Sequence, residues 1–202
     1  MKRAVRKFYT LVEIMTVIVI AAILFGIGIP AFTTMIQGSN MTIAIRQLSA
    51  KISAARAYAV TNRCKVAVLL VTTGAKEDYR DSAYRVCVVG DGNSFQEWIE
   101  DENWKTLPKG VLRRSVSASL PTVTIDAAAI GGGSSDSVPA LVFKSNGQME
   151  TATATIQLSQ GRYAGGNPVY TERNSEGKII CHPIEINQYS GKVTVKDITE
   201  DS

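Results

Sequence analysis

The chain has 202 residues, 45% of them hydrophobic, and a formal net charge of +4. That length suits one folded domain with an appended segment, and the apolar content is enough for a core, which excludes a low-complexity or disordered chain. Lys2, Arg3, Arg6 and Lys7 account for the whole positive excess, so the rest is near neutral, and the acidic end Asp197-Ile198-Thr199-Glu200-Asp201-Ser202 argues against a protein built to grip nucleic acid.

The first element is an apolar run. From Ile14 to Ile29 it is broken only by Thr16, Gly26 and Gly28, and with Ala31 and Phe32 beyond Pro30 it approaches the roughly 20 residues that cross a bilayer. It is too long for an ordinary signal-peptide core, and no small-residue cleavage site follows it cleanly. The basic residues before it predict a cytoplasmic N-terminus, with everything after about Met35 on the far side. One charge, Glu13, interrupts the stretch between Lys7 and Arg46. A lone charge in a membrane span costs about 2.5–3.5 kcal/mol on the most lenient scales, so a plain anchor would gain by losing it.

The helical pattern continues past Pro30. Ile45, Leu48, Ile52, Ala55 and Ala59 recur at helical spacing while Arg46, Gln47, Lys51 and Arg56 fall mainly on other faces, which predicts an amphipathic helix from about Ala31 to Thr61 with a stop at Asn62. The whole element, from about Thr10, reads as one long helix bent at Pro30, which removes a backbone donor. Roughly eight short strands follow. The clearest are residues 65–71 and 84–89, with a polar turn at 73–78 between them, then 94–99 and 123–125. A Gly-rich loop occupies 131–137. Residues 140–143 and 153–158 around Asn146-Gly147 read as one hairpin, and 184–186 with 192–195 around Ser190-Gly191 as another. Without helix–strand alternation the predicted class is α+β: a long N-terminal helix, its first half transmembrane and its second amphipathic, packed on an antiparallel domain of two small sheets.

Chemistry-bearing patterns are sparse. Cys64 and Cys87 flank the 73–78 turn and form a possible disulfide across the first hairpin; with Cys181 making an odd count, three buried thiols are the alternative. His182 is the sole histidine and reads as a packing or surface residue. Asp78, Asp81, Asp91 and Glu97 scatter over loops and read as solvated charges rather than a calcium site. Trp98 and Trp104 read as half-core residues of a strand edge, with a partner-binding role as the alternative. No catalytic constellation, metal site or cofactor is predicted.

Tyr9-Thr10-Leu11-Val12-Glu13 before an apolar helix resembles the N-terminal signal of type IV pilins and pseudopilins, and Pro30 falls where many members carry a kinking proline. Phe8 stands where the family prefers Gly. Three further passages resemble H-type minor pseudopilins and related minor pilins, the GspH/FimT family: Leu48 through Ala55-Arg56 to Val66, Val142-Phe143-Lys144-Ser145-Asn146-Gly147, and Ser190-Gly191-Lys192-Val193. The resemblance implies a pilin-like fold and a structural subunit rather than an enzyme. Its parts are then a leader at 1–8, a transmembrane half-helix at 9–32, an amphipathic half-helix at 33–62 and a β domain at 63–202. It implies cleavage and N-methylation around Phe8 and Tyr9 by a prepilin peptidase, and filament assembly through Glu13 and Pro30, Glu13 neutralising a neighbouring subunit's terminal amine. Its partners would be other pilin-like subunits and an inner-membrane assembly platform, its place the bacterial inner membrane with the C-terminal domain periplasmic. Within the resemblance a type II secretion pseudopilin leads; a type IV minor pilin, with DNA contact during uptake, is the alternative, for which Arg113-Arg114 is the only adjacent basic pair beyond the leader.

Overall fold

A computed structural model describes residues 10–72, 79–100, 102–125 and 136–201; for 27–38 and 136 it describes the backbone alone. The polar turn at 73–78 and most of the Gly-rich loop lie outside the described residues. Two compact units are present, Met1–Ser39 and Asn40–Ser202. Helix α1 is assigned over Leu11–Asn62 and contributes to both.

The second unit begins with the amphipathic part of α1. Met41, Ala44, Leu48, Ile52, Ala55 and Ala59 are buried in one stripe. The steps of three and four residues keep that stripe on one face, as the sequence pattern predicts, with Ile45 packed at its margin. The helix stops by a backbone device. Arg63 adopts the left-handed conformation (φ 52°) and the Cys64 N–H reaches back to the Ala59 carbonyl at 3.2 Å. That bond caps a carbonyl the last turn would leave unpaired.

The strands form two antiparallel sheets. The first has β1 (Lys65–Leu70), β2 (Ala83–Val89), β3 (Phe95–Trp98), β6 (Thr122–Ile125) and β7 (Asp136–Phe143) in the order β3-β2-β1-β7-β6, with β4 (Lys105–Thr106) also on β2. The second has β5 (Val111–Val116), β8 (Ala154–Ala164), β10 (Ile179–Ile186) and β11 (Val193–Val195) in the order β11-β10-β8-β5. The short strands β9 (Asn167–Tyr170) and β12 (Thr199–Asp201) pair with β8 and β10.

Two cores result. The larger lies among the α1 stripe, one face of the first sheet (Val66, Val68, Leu70, Val86, Leu141, Phe143) and the inner face of the second (Ala154, Ile156, Leu158, Ile184, Ile186). The smaller fills the other face of the first sheet with Ala67, Leu69, Cys87, Val89, Val123, Val138 and Val142, flanked by Phe95, Trp98 and Trp104. The terminal strands β3 and β6 approach each other, so this sheet curls around its own second core. That explains the unbroken apolar run in β1: a strand buried on both faces has no polar side to show.

The structure corrects one expected hairpin. Asn146-Gly147 does make a tight turn, with the Gly147 N–H donating to the Lys144 carbonyl at 2.8 Å. The chain then leaves the first sheet, and β7 and β8 lie in different sheets. Both edges of β7 are already taken, by β1 and β6. The final hairpin forms as expected, pairing Ile184 with Val195 and Ile186 with Val193.

Candidate functional site

Thr10 caps the start of α1, its hydroxyl accepting from the Glu13 N–H at 3.2 Å. A threonine three residues before a glutamate is the sequence of a capping box, and this bond satisfies one of the helix's unpaired donors. Glu13 thus sits in the first helical turn, where a carboxylate also favours the positive end of the helix dipole. Around it Leu11, Val12, Ile14, Met15, Val17, Ile18, Val19 and Ile20 are all exposed, Leu11 at 76%. Pro30 lies within α1, with its side chain outside the described set; Phe8 and Tyr9 lie outside the described residues altogether. Among the described residues no helix is long and apolar enough to cross a membrane.

The three short motifs met separately in the sequence come together in the β unit. Arg56 donates its Nε–H to the Gly147 carbonyl at 3.1 Å. Gly147 (φ 80°) and Gly191 (φ 60°) both need the left-handed conformation, and both lie against Arg56: a Cβ on Gly191 would run into the Arg56 stem and the Gly147 carbonyl. One arginine therefore ties the helix to the turn after β7 and to the turn before β11. The conformational freedom of glycine is what lets both turns close on it.

The cysteines do not pair. All three are free thiols. Register places Ala67 opposite Cys87, while Cys64 precedes β1. Cys64 packs against the larger core and Cys87 lies in the smaller, so the sheet separates them. Burial pushes the Cys87 thiol from its ordinary value near 9 up to about 12, with Arg85 opposing the rise.

Arg113 and Arg114 are occupied internally. Arg113 is 6% exposed and donates from Nη2 to the Val71 carbonyl at 2.8 Å and to Asp81 Oδ1 at 2.9 Å. The Tyr163 hydroxyl donates to the other oxygen of Asp81. Burial lowers the Arg113 pKa against the opposing pull of Asp81, and burial followed by the Asp81 hydrogen bond raises that of Tyr163. Arg114 binds Asp201 at 2.8 Å and stands over the Tyr170 ring. This adjacent pair joins elements together rather than presenting a basic strip. The tryptophans are structural as well: Arg85 lies 3.7 Å from the Trp98 ring centroid, and Trp98 meets Trp104 edge to face. His182 lies 3.7 Å from Glu172. Asp78 falls outside the described residues, and among the described ones no group of His, Cys, Asp or Glu is placed to hold a metal.

The family model for the type II transport protein GspH matches residues 44–173. The chain belongs to the GspH family. The match runs from the amphipathic half of α1 through β9, and so contains Arg56 and Gly147 of the three-way junction. GspH-family proteins are structural pilin-like subunits, minor pseudopilins and minor pilins, and the long helix on antiparallel sheets found here is their architecture. Among solved structures, the type IV minor pilin FimU of Pseudomonas aeruginosa is similar at 14% identity and a TM-score of 0.47, over 77% of this chain and 87% of that one. The minor pseudopilin EpsH of the Vibrio cholerae type 2 secretion system is similar at 12% identity and a TM-score of 0.44, over 77% and 94%. No curated protein sequence matches.

Proposed function

We propose that this GspH-family chain is a minor pseudopilin, a structural subunit of a type II secretion pseudopilus. It is stored in the bacterial inner membrane as a single-pass protein, N-terminus inside, with residues 63–202 in the periplasm. Residues 1–8 act as a basic leader, 9–32 as the spanning half of the helix and 33–62 as its amphipathic half. Prepilin peptidase acts at Phe8 or Tyr9, and the assembly platform lifts the subunit out of the bilayer into contact with other pseudopilin helices. Pro30 supplies the bend in the helix.

One observation carries this reading: a lone carboxylate, Glu13, in the first turn of a helix whose apolar neighbours are all exposed. An anchor has no use for that charge, whereas a filament supplies it with the terminal amine of an adjacent subunit. The test is Glu13→Ala in the full chain. Membrane insertion is expected to hold or improve, while recovery in sheared filaments falls to background. Normal incorporation of the variant would sink the proposal. Mass spectrometry of the mature protein should find an N-methylated Tyr9 or Phe8.

A further inference from the structure

A groove of about 540 Å3 runs between α1 and the edge of the first sheet, lined by Gln47, Ala50, Lys51 and Ala54 of the helix, Tyr84 of β2 and Lys105 of β4. It lies wholly within the Asn40–Ser202 unit. Ala50 and Ala54 are exposed and one turn apart, so at these two positions, beside Gln47 and Lys51, α1 offers only methyl groups to an approaching backbone. The cations in and beside it differ in state. Lys51 is bound to Glu102. Lys105 is exposed on the two-residue strand β4. Arg46, also exposed, stands one turn before Ala50. Among the described residues neither Arg46 nor Lys105 forms an ion pair. Elsewhere the arginines at element junctions are consumed: Arg85 by Trp98 and the Glu102 carbonyl, Arg113 by Asp81, Arg114 by Asp201.

We propose that this groove receives an acidic segment of a neighbouring subunit, its backbone lying over Ala50 and Ala54 and its carboxylates meeting Arg46 and Lys105. The inference rests on the subunit reading above. Charge complementarity selects the occupant: Lys105 lines a floor that includes small and aromatic side chains, and Arg46 stands exposed one helical turn from Ala50, which suits a peptide carrying one or two carboxylates. A nucleic acid would draw on a longer series of phosphate-binding cations than the groove offers. Partly exposed pairs of this kind contribute little affinity each, so the groove sets register and partner choice for a subunit that the N-terminal helix already holds.

The experiment places a photo-crosslinking benzoylphenylalanine at position 47 of the full chain in cells, with the crosslinked residue identified by mass spectrometry. The expected product joins position 47 to a peptide of another pilin-like subunit carrying Asp or Glu within one helical turn of the link. The double variant Arg46→Glu and Lys105→Glu should lower its yield by about tenfold or more, and Arg46→Lys with Lys105→Arg should keep it. Both residues are exposed, and an unchanged melting curve confirms that the charge-reversed chain is folded. A link to a peptide without acidic residues, or a yield indifferent to charge reversal, overturns the proposal. So does a mobility shift of a short DNA duplex by the detergent-solubilised chain that charge reversal abolishes. Filament incorporation is followed in parallel against Glu13→Ala, so a failed groove with intact dependence on Glu13 leaves the subunit reading standing.

Discussion

The first and last parts of α1, Leu11 to Phe25 and Met41 to Ala59, carry similar apolar side chains and put them to different use. Between Leu11 and Phe25 the large aliphatic residues are exposed, and the polar side chains bond only to the helix's own backbone, Thr10 to the Glu13 N–H and Thr16 to the Val12 carbonyl. Between Met41 and Ala59 one stripe of apolar residues, Met41, Ala44, Leu48, Ile52, Ala55 and Ala59, is buried beneath two sheets, while Ile43, Arg46, Gln47, Ala50 and Ala57 stay outside. A helix apolar all round suits a membrane span or a fully buried place; a helix apolar on one stripe packs that stripe on a core. Hydrophobic content alone does not separate the two. The arrangement does: the buried stripe of the second stretch stabilises the β unit, and the first stretch is the one proposed above to assemble with other subunits.

The sharpest way to break that contrast is a pair of matched truncations. Ile52 is fully buried in the larger core and Ile18 is 62% exposed. Ile52→Ala should destabilise the β unit by about 2–5 kcal/mol, the range for a buried isoleucine that leaves a cavity. Ile18→Ala should change its unfolding by no more than about 0.5 kcal/mol. Chemical denaturation of the full chain in detergent, followed by tryptophan fluorescence, reads both. Equal effects would mean that the exposed stretch is also part of the folding unit.

A second test probes the smaller core, which α1 does not line. Cys87 titrates near 9 when unfolded and at about 12 in the folded chain because burial penalises its thiolate. The folded state therefore prefers the protonated form. The resulting stability is fully present below pH 9 and is lost as pH rises from 9 towards about 12. Each pH unit in that window removes at most about 1.4 kcal/mol, so the whole loss is about 4 kcal/mol or less. Cys87→Ala should flatten the alkaline limb of a pH–stability curve, and Cys87 should resist thiol reagents in the folded protein at about pH 8. Rapid labelling of Cys87 would show that the curled sheet opens readily.

The Arg56 junction comes next in size. Gly191→Ala places a methyl group against the Arg56 stem and the Gly147 carbonyl and also imposes a left-handed conformation on alanine. The conformation alone costs about 1–2 kcal/mol, and the contact adds to it. Arg56→Ala in the same chain should recover part of the difference. A double-mutant cycle by thermal melting measures the coupling, which an independent pair of sites would not show.

Much of this fold was legible in the residues, and what was not has identifiable causes. The buried stripe of α1, strands β1 and β2 and the last hairpin follow from periodicity and turn chemistry, because local pattern and tertiary environment agree there. Strand β5 was hidden because Val111-Leu112-Arg113-Arg114-Ser115-Val116 carries two arginines mid-strand, and Arg113 is buried only because Asp81, distant in sequence, comes to meet it. The Asn146-Gly147 signal specified its turn correctly but could not reveal that β7 already had two neighbours. The disulfide reading failed on register, which the turn-rich 73–78 segment leaves open, since one residue of slip moves a side chain to the other face. At the candidate assembly site Glu13 announced itself as a misplaced charge, whereas the groove beside Ala50 and Ala54 exists only once α1 is laid against β4.

The smallest expected effect lies where the buried stretch of α1 ends. Arg63 holds φ at 52°, and the Cys64 N–H bond to the Ala59 carbonyl depends on that left-handed step. An arginine there bears the steric cost between its Cβ and the following carbonyl, which glycine lacks; about a third to a half of helices end in this way, usually with glycine. Arg63→Gly relieves that cost but also loosens the unfolded chain, which returns about 0.4–1 kcal/mol of it. The net gain should be about 1 kcal/mol or less, a rise of roughly 1–4 °C in the melting temperature of the β unit. Arg63→Ala should give no such rise, because alanine keeps the Cβ. Filament recovery should be unchanged in both, since Arg63 is neither in the stretch around Glu13 nor among the residues that line the groove. A lower melting temperature for Arg63→Gly would mean that the arginine side chain itself contributes more than its backbone conformation costs.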